Sequence, residues 1–544
     1  MIERAGLYIP PDPNEATSYT TGHHVARMSY IGNGGGFVQH ESPVLGTTVI
    51  GLRQEKDVQN LYYDLLTTPD AMRAHGISQL CKLDTIATIP NTGSLNRMSG
   101  HIADLMVVVD SFADRLRFSK DQRLAAQLLV SQDDKAHWAG SHATELIVQG
   151  FGGPESQHQF NWQQLAVLGG TAGVLKKHQV AYDPKTMLLP DVALPKFLDA
   201  EAPDINPDRW QYTLAEALTW YDTDNASTSM RERVRDLCSL DKIEISDDGQ
   251  MVFKDVSDAL LFSKIYLLLA TEHWNNPINR VQLHLYIQAA QSAIVKRRMP
   301  WMRDIDKGQT RHPVYYLNCI DRDILDALST EDGKRDDFMY AIGNALYPIA
   351  AQERRRTIDY KLPEFISFLL DESAQDYPSE YLYPRRVDFG PPSSQVSVHM
   401  RPAKETDPKG KLPVFNEGTD AISYTLRPLK NRFVDPLVKH NGQIVRLSEA
   451  CAQYKSLLDQ QQSLQAMSVE VELAFAGAFR EIFKAGVRES DERFASTSDY
   501  PPMTKDQKRR VVEGAAQRAV RYAVGAGTVV IKNSRLAEQY GLAA

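Results

Sequence analysis

The chain has 544 residues, too many for one simple core, and its length suggests two or three domains. Its 42% hydrophobic and 24% charged content suit a soluble globular protein, and a formal charge of -8 gives no global attraction to nucleic acid. Four scattered cysteines without a CxxC pair argue against a zinc ribbon or redox dithiol and fit a reducing cytoplasm. No signal peptide and no apolar run of membrane-spanning length is visible.

In chain order, residues 1–56 read as an N-terminal arm rich in Gly, Pro, Ser and Thr. Its cluster Gly32-Asn-Gly-Gly-Gly36 lacks the Lys-Ser/Thr of a phosphate loop and reads as a turn. Apolar residues at three- and four-residue spacing predict helices over Leu61–Leu66, Ile102–Phe118, Gln122–Val130 and Leu260–Val295. Thr68-Pro69 and Ser119 punctuate helix starts. A second body runs over 301–544, with a turn-rich loop at 384–413. In that body the sequence predicts a strand at Ala421–Leu426 and helices at Leu447–Gln460, Val469–Val487 and Lys505–Ala523. A last strand is expected at Thr528–Lys532. The basic runs 296–298, 354–356 and 508–510 read as solvated helix faces.

The segment Ser131–Glu145 concentrates chemistry. Asp133 and Asp134 are adjacent, pointing about 100° apart on a helix. Asp134 and His137 share a face, and a turn at Ala139-Gly140 would bring His142 and Glu145 to the same cavity. Paired carboxylates are hard oxygen ligands for Mg, Mn or Fe, and nearby histidines can move protons or steady phosphoryl oxygens. The bland alternative is an amphipathic helix with a solvated charged face.

This Asp-Asp-x-x-His-x-x-x-x-His-x-x-Glu run resembles the HD-domain superfamily, specifically the deoxynucleoside triphosphate triphosphohydrolases related to the SAM-and-HD-domain protein and the bacterial dGTPases. Asp134 matches the Asp of the HD pair, His137 and His142 the later histidines, and Glu145 the acidic position. Asp133 stands where the family has a metal-binding His. Upstream, Ile77-Ser-Gln-Leu80 and Asn96-Arg97 look like the family's lead-in, which implies nucleotide contacts for Gln79, Leu80 and Arg97. The family's Arg-x-x-His motif, counted from Arg97, lands on Gly100; His101 is one residue late. Either an inserted residue restores His101 as ligand or the ligand is lost, and helical phase favours His101. Downstream, Asp208-Arg-Trp-Gln-Tyr212 with Glu216 resembles the family's Asp-Lys/Arg-x-Asp-Tyr stretch. The match implies a metal role for Asp208 and substrate contacts for Arg209, Tyr212 and Glu216.

The resemblance covers roughly residues 58–300 well. It implies a mainly α fold, an HD-domain helical core over 57–300 with a smaller α+β C-terminal region. It also implies a cytoplasmic, metal-dependent dNTP triphosphohydrolase, with Mg or Mn, or else Fe or Co, at His101, Asp133, Asp134 and Asp208. His137, His142 and Glu145 would be catalytic. Family members form homo-oligomers with regulatory nucleotides at subunit contacts, and some bacterial relatives deplete dNTPs in defence against phage. Two alternatives stand beside this: a catalytically degenerate nucleotide sensor or scaffold, and a phosphohydrolase acting on another nucleotide or a nucleic-acid end. Trp274 is expected either as a sugar-packing aromatic or as core.

Overall fold

The computed structural model describes residues 27–32, 36–42, 44–51, 54–77, 98–132, 134–137, 165–184, 188–221, 228–274, 362–376, 378, 385–389, 396–403, 411–416, 421–426, 433–466, 468–475, 481 and 504–542. Among them helix dominates, with three small sheets.

The first sheet starts inside the expected arm. Strands β1 (Arg27–Ile31), β2 (Phe37–Ser42) and β3 (Gly46–Val49) run antiparallel, and β13 (Val529–Lys532) joins β1 in parallel. In β2 every second residue, Val38, His40 and Ser42, turns inward, as the two-residue period of a strand demands. Gly36, just before β2, has no room for a side chain. A Cβ on Gly36 would fall 2.5 Å from the Tyr63 ring and 2.7 Å from the Ile31 carbonyl oxygen.

Helix α1 (Lys56–Leu66) buries Leu61, Tyr62, Leu65 and Leu66 against this sheet. Pro69 opens the short α2 (Pro69–Arg73), where its missing N–H costs nothing. Helices α3 (Met98–Arg115) and α4 (Lys120–Gln132) pack together. Ser119 caps α4: its hydroxyl accepts from the Gln122 amide at 3.2 Å, and the Gln122 side chain accepts from the Ser119 amide at 3.1 Å. After α5 (Thr171–Lys177) come α6 (Pro207–Tyr221) and α7 (Thr228–Leu237), with α6 crossing α3. Helix α8 (Val256–Leu268) is buried from Ala259 to its end, and it continues into a π-helical turn, Leu269–Trp274. The remainder of the helix expected to Val295 lies outside the described residues. Trp210, Phe112, Phe197, Phe253 and Phe262 are fully buried at the centre, each side chain contributing about 1.5–3 kcal/mol of burial.

Main-chain pairing joins segments on either side of residue 300. Strand β5 (Met251–Phe253), beside β4 (Ile243–Ile245), pairs in parallel with β10 (Leu437–His440). The latter turns back into β11 (Gln443–Arg446) through Asn441-Gly442, whose φ values of 50° and 77° suit a tight hairpin. Helix α12 (Lys505–Gly525) packs on α2, with Arg509 and Arg510 of its basic run exposed.

Two expectations for the second body need correction. The 384–413 segment holds β6 (Arg385–Phe389), β7 (Val396–Pro402) and the first residues of β8 (Lys411–Asn416). Residues 469–475, expected as helix, form β12 (Val469–Phe475), the centre of a five-stranded antiparallel sheet ordered β6-β7-β12-β9-β8, with β9 at Ala421–Leu426. The alternation Val469, Val471, Leu473 faces the core while Glu470 and Glu472 face away. That two-residue period outweighs the helical one once β7 and β9 supply partners on both sides. The Leu447–Gln460 helix is likewise split at Cys451 into α10 (Leu447–Ala450) and α11 (Ala452–Gln465). Two further helices are α9 (Leu362–Leu370) and α13 (Ser534–Gln539).

Candidate metal centre

Three segments converge on one buried histidine. His101 lies in the first turns of α3 with no exposed surface. Its Nε2 stands 3.1 Å from Asp134 Oδ2 and 2.9 Å from Asp208 Oδ1. Asp134 sits in the turn that follows α4, and Asp208 in the first turn of α6, where the helix dipole favours a negative charge. Asn206 caps α6 by accepting from the Arg209 amide at 2.8 Å. His137, three residues beyond Asp134, holds Asp134 Oδ1 through its Nε2 at 3.0 Å.

The turn that carries Asp134 is itself clamped. The fully buried Arg73 guanidinium on α2 donates to the carbonyl of Lys135 at 3.1 Å and to that of His137. Lys135 is buried and anchors to the Leu65 carbonyl at 3.3 Å. Burial depresses its pKa.

Electrostatically the cluster is a tightly coupled set. Burial alone pushes the Asp134 carboxyl up, but His101 and His137 outweigh it and hold the group well below the usual carboxylate range. Burial alone pulls the His101 ring down; the adjoining Asp134 and Asp208 carboxylates outweigh that and raise it well above an ordinary histidine.

The donor set fits a divalent cation. One ligand atom each from His101, Asp134 and Asp208 lies within 4.8 Å of the others. Although both carboxylates are near, His101 Nε2 has hydrogen-bond geometry to neither. One imidazole nitrogen with two carboxylates suits Mg, Mn, Fe or Co better than a soft ion. Asp208 is 37% exposed on its side chain, so the centre opens on that flank.

The other expected site residues divide into three groups. Asp133, His142, Glu145, Gln79, Leu80 and Arg97 lie outside the described residues. Arg209, expected at phosphate, turns to the preceding loop and donates to the carbonyls of Ala200 and Asp204, each at 2.7 Å. Tyr212 and Glu216 are buried further along α6. The Tyr212 ring stands edge-on to Trp274, with centroids 5.3 Å apart, and its hydroxyl is 3.3 Å from that of Tyr266. Trp274 is thus part of an aromatic cluster. His75 is a hydrogen-bonded core histidine between Tyr30 and Ser99.

Sequence reasoning passed over three residues that stand behind His101: Gln211, Asp104 and His40. Asp104 lies three residues after His101 on α3, and Gln211 three after Asp208 on α6. These repeated three-residue spacings were the available signal.

No family model matches the chain, and no curated protein sequence matches it significantly. The class defined by the site is accordingly a chemical one: a buried His-Asp-Asp centre able to hold a divalent cation.

Proposed function

We propose that this chain is a divalent-cation-dependent phosphohydrolase acting on deoxynucleoside triphosphates, releasing deoxynucleoside and inorganic triphosphate. The observation that carries the proposal is the convergence of His101, Asp134 and Asp208, from three segments spread over more than a hundred residues. Their order along the chain is that of the HD-type pattern. A cation there would supply Lewis-acid stabilisation of the α-phosphate and lower the pKa of a water. Asp134 and Asp208 would fix its position, and His101 would add the single nitrogen ligand. His137 keeps one Asp134 oxygen engaged so that the other faces the centre. In this reading Asp133 joins the ligand set, His142 protonates the departing O5′, and Glu145 orients His142. Homo-oligomerisation and a regulatory nucleotide belong to the same proposal, as does a role in dNTP depletion.

A nucleotide sensor without turnover is the second reading. That reading also keeps Arg209 as a nucleotide contact, and its guanidinium, occupied by two backbone carbonyls, weighs against a phosphate role in either case. The deciding experiment incubates the full chain with each dNTP, singly and mixed, plus Mg, Mn or Co. Triphosphate release that is lost in His101→Ala supports the enzyme. Nucleotide binding with no product under any combination sinks it in favour of the sensor.

A further inference from the structure

The buried side chains behind His101 form a directed chain. His101 Nδ1 stands 2.5 Å from Gln211 Oε1. Gln211 Nε2 donates to Asp104 Oδ2 at 2.7 Å. The second carboxylate oxygen, Asp104 Oδ1, is 2.7 Å from His40 Nε2 on strand β2. All four residues have no exposed surface, so water cannot substitute for any link.

Donor chemistry fixes the direction. A carboxylate has no proton to give. Gln211 must therefore turn its NH2 to Asp104, which leaves its carbonyl oxygen facing His101. That oxygen only accepts, so His101 Nδ1 must carry a hydrogen. The flipped amide would set carbonyl against carboxylate in a buried site, a repulsion without compensation. His40 Nε2 is a donor for the same reason. With Nδ1 protonated, the neutral His101 ring keeps its lone pair on Nε2, the atom between Asp134 and Asp208.

We propose that Gln211, Asp104 and His40 are positioning residues that lock His101 in the Nδ1–H tautomer and present its Nε2 lone pair to a divalent cation. The chain ties the cation centre to β2, so the N-terminal sheet becomes part of the site's support. This inference rests on the cation-centre part of the proposed function and not on the identity of the substrate.

The test uses the full chain and Mn(II) alone, titrated calorimetrically. The tautomer of His101 is read from the ring ¹⁵N resonances of histidine-labelled protein loaded with diamagnetic Mg(II). Gln211→Met, which keeps the volume and loses the amide, should weaken Mn(II) binding about 10–100-fold and shift His101 away from the Nδ1–H form. His40→Leu should weaken binding too. His40→Gln, whose amide N–H reaches where the imidazole Nε2 stood, should recover most of that loss. This rescue separates a directed hydrogen bond from mere filling of space. Thermal unfolding of the metal-free proteins shows whether each variant is folded; if Gln211→Met is not, the two His40 variants decide. Folded Gln211→Met binding Mn(II) as tightly as wild type overturns the proposal, as does equal loss in both His40 variants. A wild-type chain that binds no Mn(II) overturns the cation centre and this inference together. Intact Mn(II) binding without dNTP hydrolysis removes only the substrate assignment.

Discussion

Arg446→Met tests how the C-terminal segment supports the centre. Arg446 Nη1 donates to Asp204 Oδ1, and to the Asp435 carbonyl at 2.8 Å. The Asp435 amide in turn donates to the Pro203 carbonyl at 2.9 Å. These bonds hold the 200–206 loop, which delivers Asp208 at the start of α6. Hydrogen bonds involving a charged partner contribute roughly 1.5–3 kcal/mol each. The Arg446 and Asp204 side chains are 29% and 19% exposed, which discounts that range. Asp204 also keeps a second partner, Gln250 Nε2 at 2.9 Å. A loss of about 2–3 kcal/mol in urea unfolding is expected. Mn(II) affinity should fall with it, because Asp208 loses its anchored approach. The control is Lys439→Met, which breaks the Glu244 ion pair on the same small sheet. There the lysine is 49% exposed, and the cost should stay near ~0.5 kcal/mol with no change in cation binding. Equal losses in the two variants, or an Arg446→Met protein that binds Mn(II) normally, would refute the reasoning.

Three further outcomes are expected. Asp208→Asn should abolish the cation-dependent rise in thermal stability, which for wild type is worth about 2.7 kcal/mol at a hundred times the dissociation constant; a wild-type-like shift in a calorimetric melt counts against Asp208 as a ligand. Asp255 caps α8 by accepting from the Ser257 amide at 2.7 Å and the Asp258 amide at 3.3 Å, and its hydrogen bonds to Ser257 lead the causes that lower its pKa. Asp255→Ala should cost about 1 kcal/mol. Because the folded pKa is the lower one, that contribution is present above the unfolded value of about 3.9 and disappears as pH falls through the folded value. A difference between wild type and Asp255→Ala that persists unchanged at the most acidic pH of the melts would contradict this. In β12, Val471→Asp buries an uncompensated charge and should abolish soluble folded protein, whereas Glu472→Thr on the outward face should cost less than ~0.5 kcal/mol. A helix at 469–475 would not give that alternation, so comparable solubility of the two variants refutes the strand.

The sequence by itself determined the helices whose apolar stripe is continuous. Helices α1, α3, α4 and α12 form near where periodicity placed them, because the pattern and the caps are local information. Pairing partners are not local. Val469 and Leu473, four apart, also satisfy a helical spacing, and only β7 and β9 alongside make the strand the better answer. The same holds for Arg385–Phe389 and Val396–Pro402, whose flanking prolines and glycines read as loop until neighbouring strands take up their backbone hydrogen bonds.

At the site, the residue types of Asp134, Asp208 and His137 could be picked out from spacing and resemblance. Whether His101 or Gly100 stood at the position of the family's histidine could not be decided by counting; the packing of α3 against α6 brings His101 beside Asp134 and Asp208. Three-residue spacing hinted at Asp104 and Gln211, but the links that join Gln211, Asp104 and His40 to one another and to His101 span 64 to 110 residues of sequence. A sequence specifies which side chains have the chemistry to bind a cation. Which nitrogen of His101 faces Asp134 and Asp208 is set by hydrogen bonds between segments, and those exist only once β2, α3 and α6 have packed.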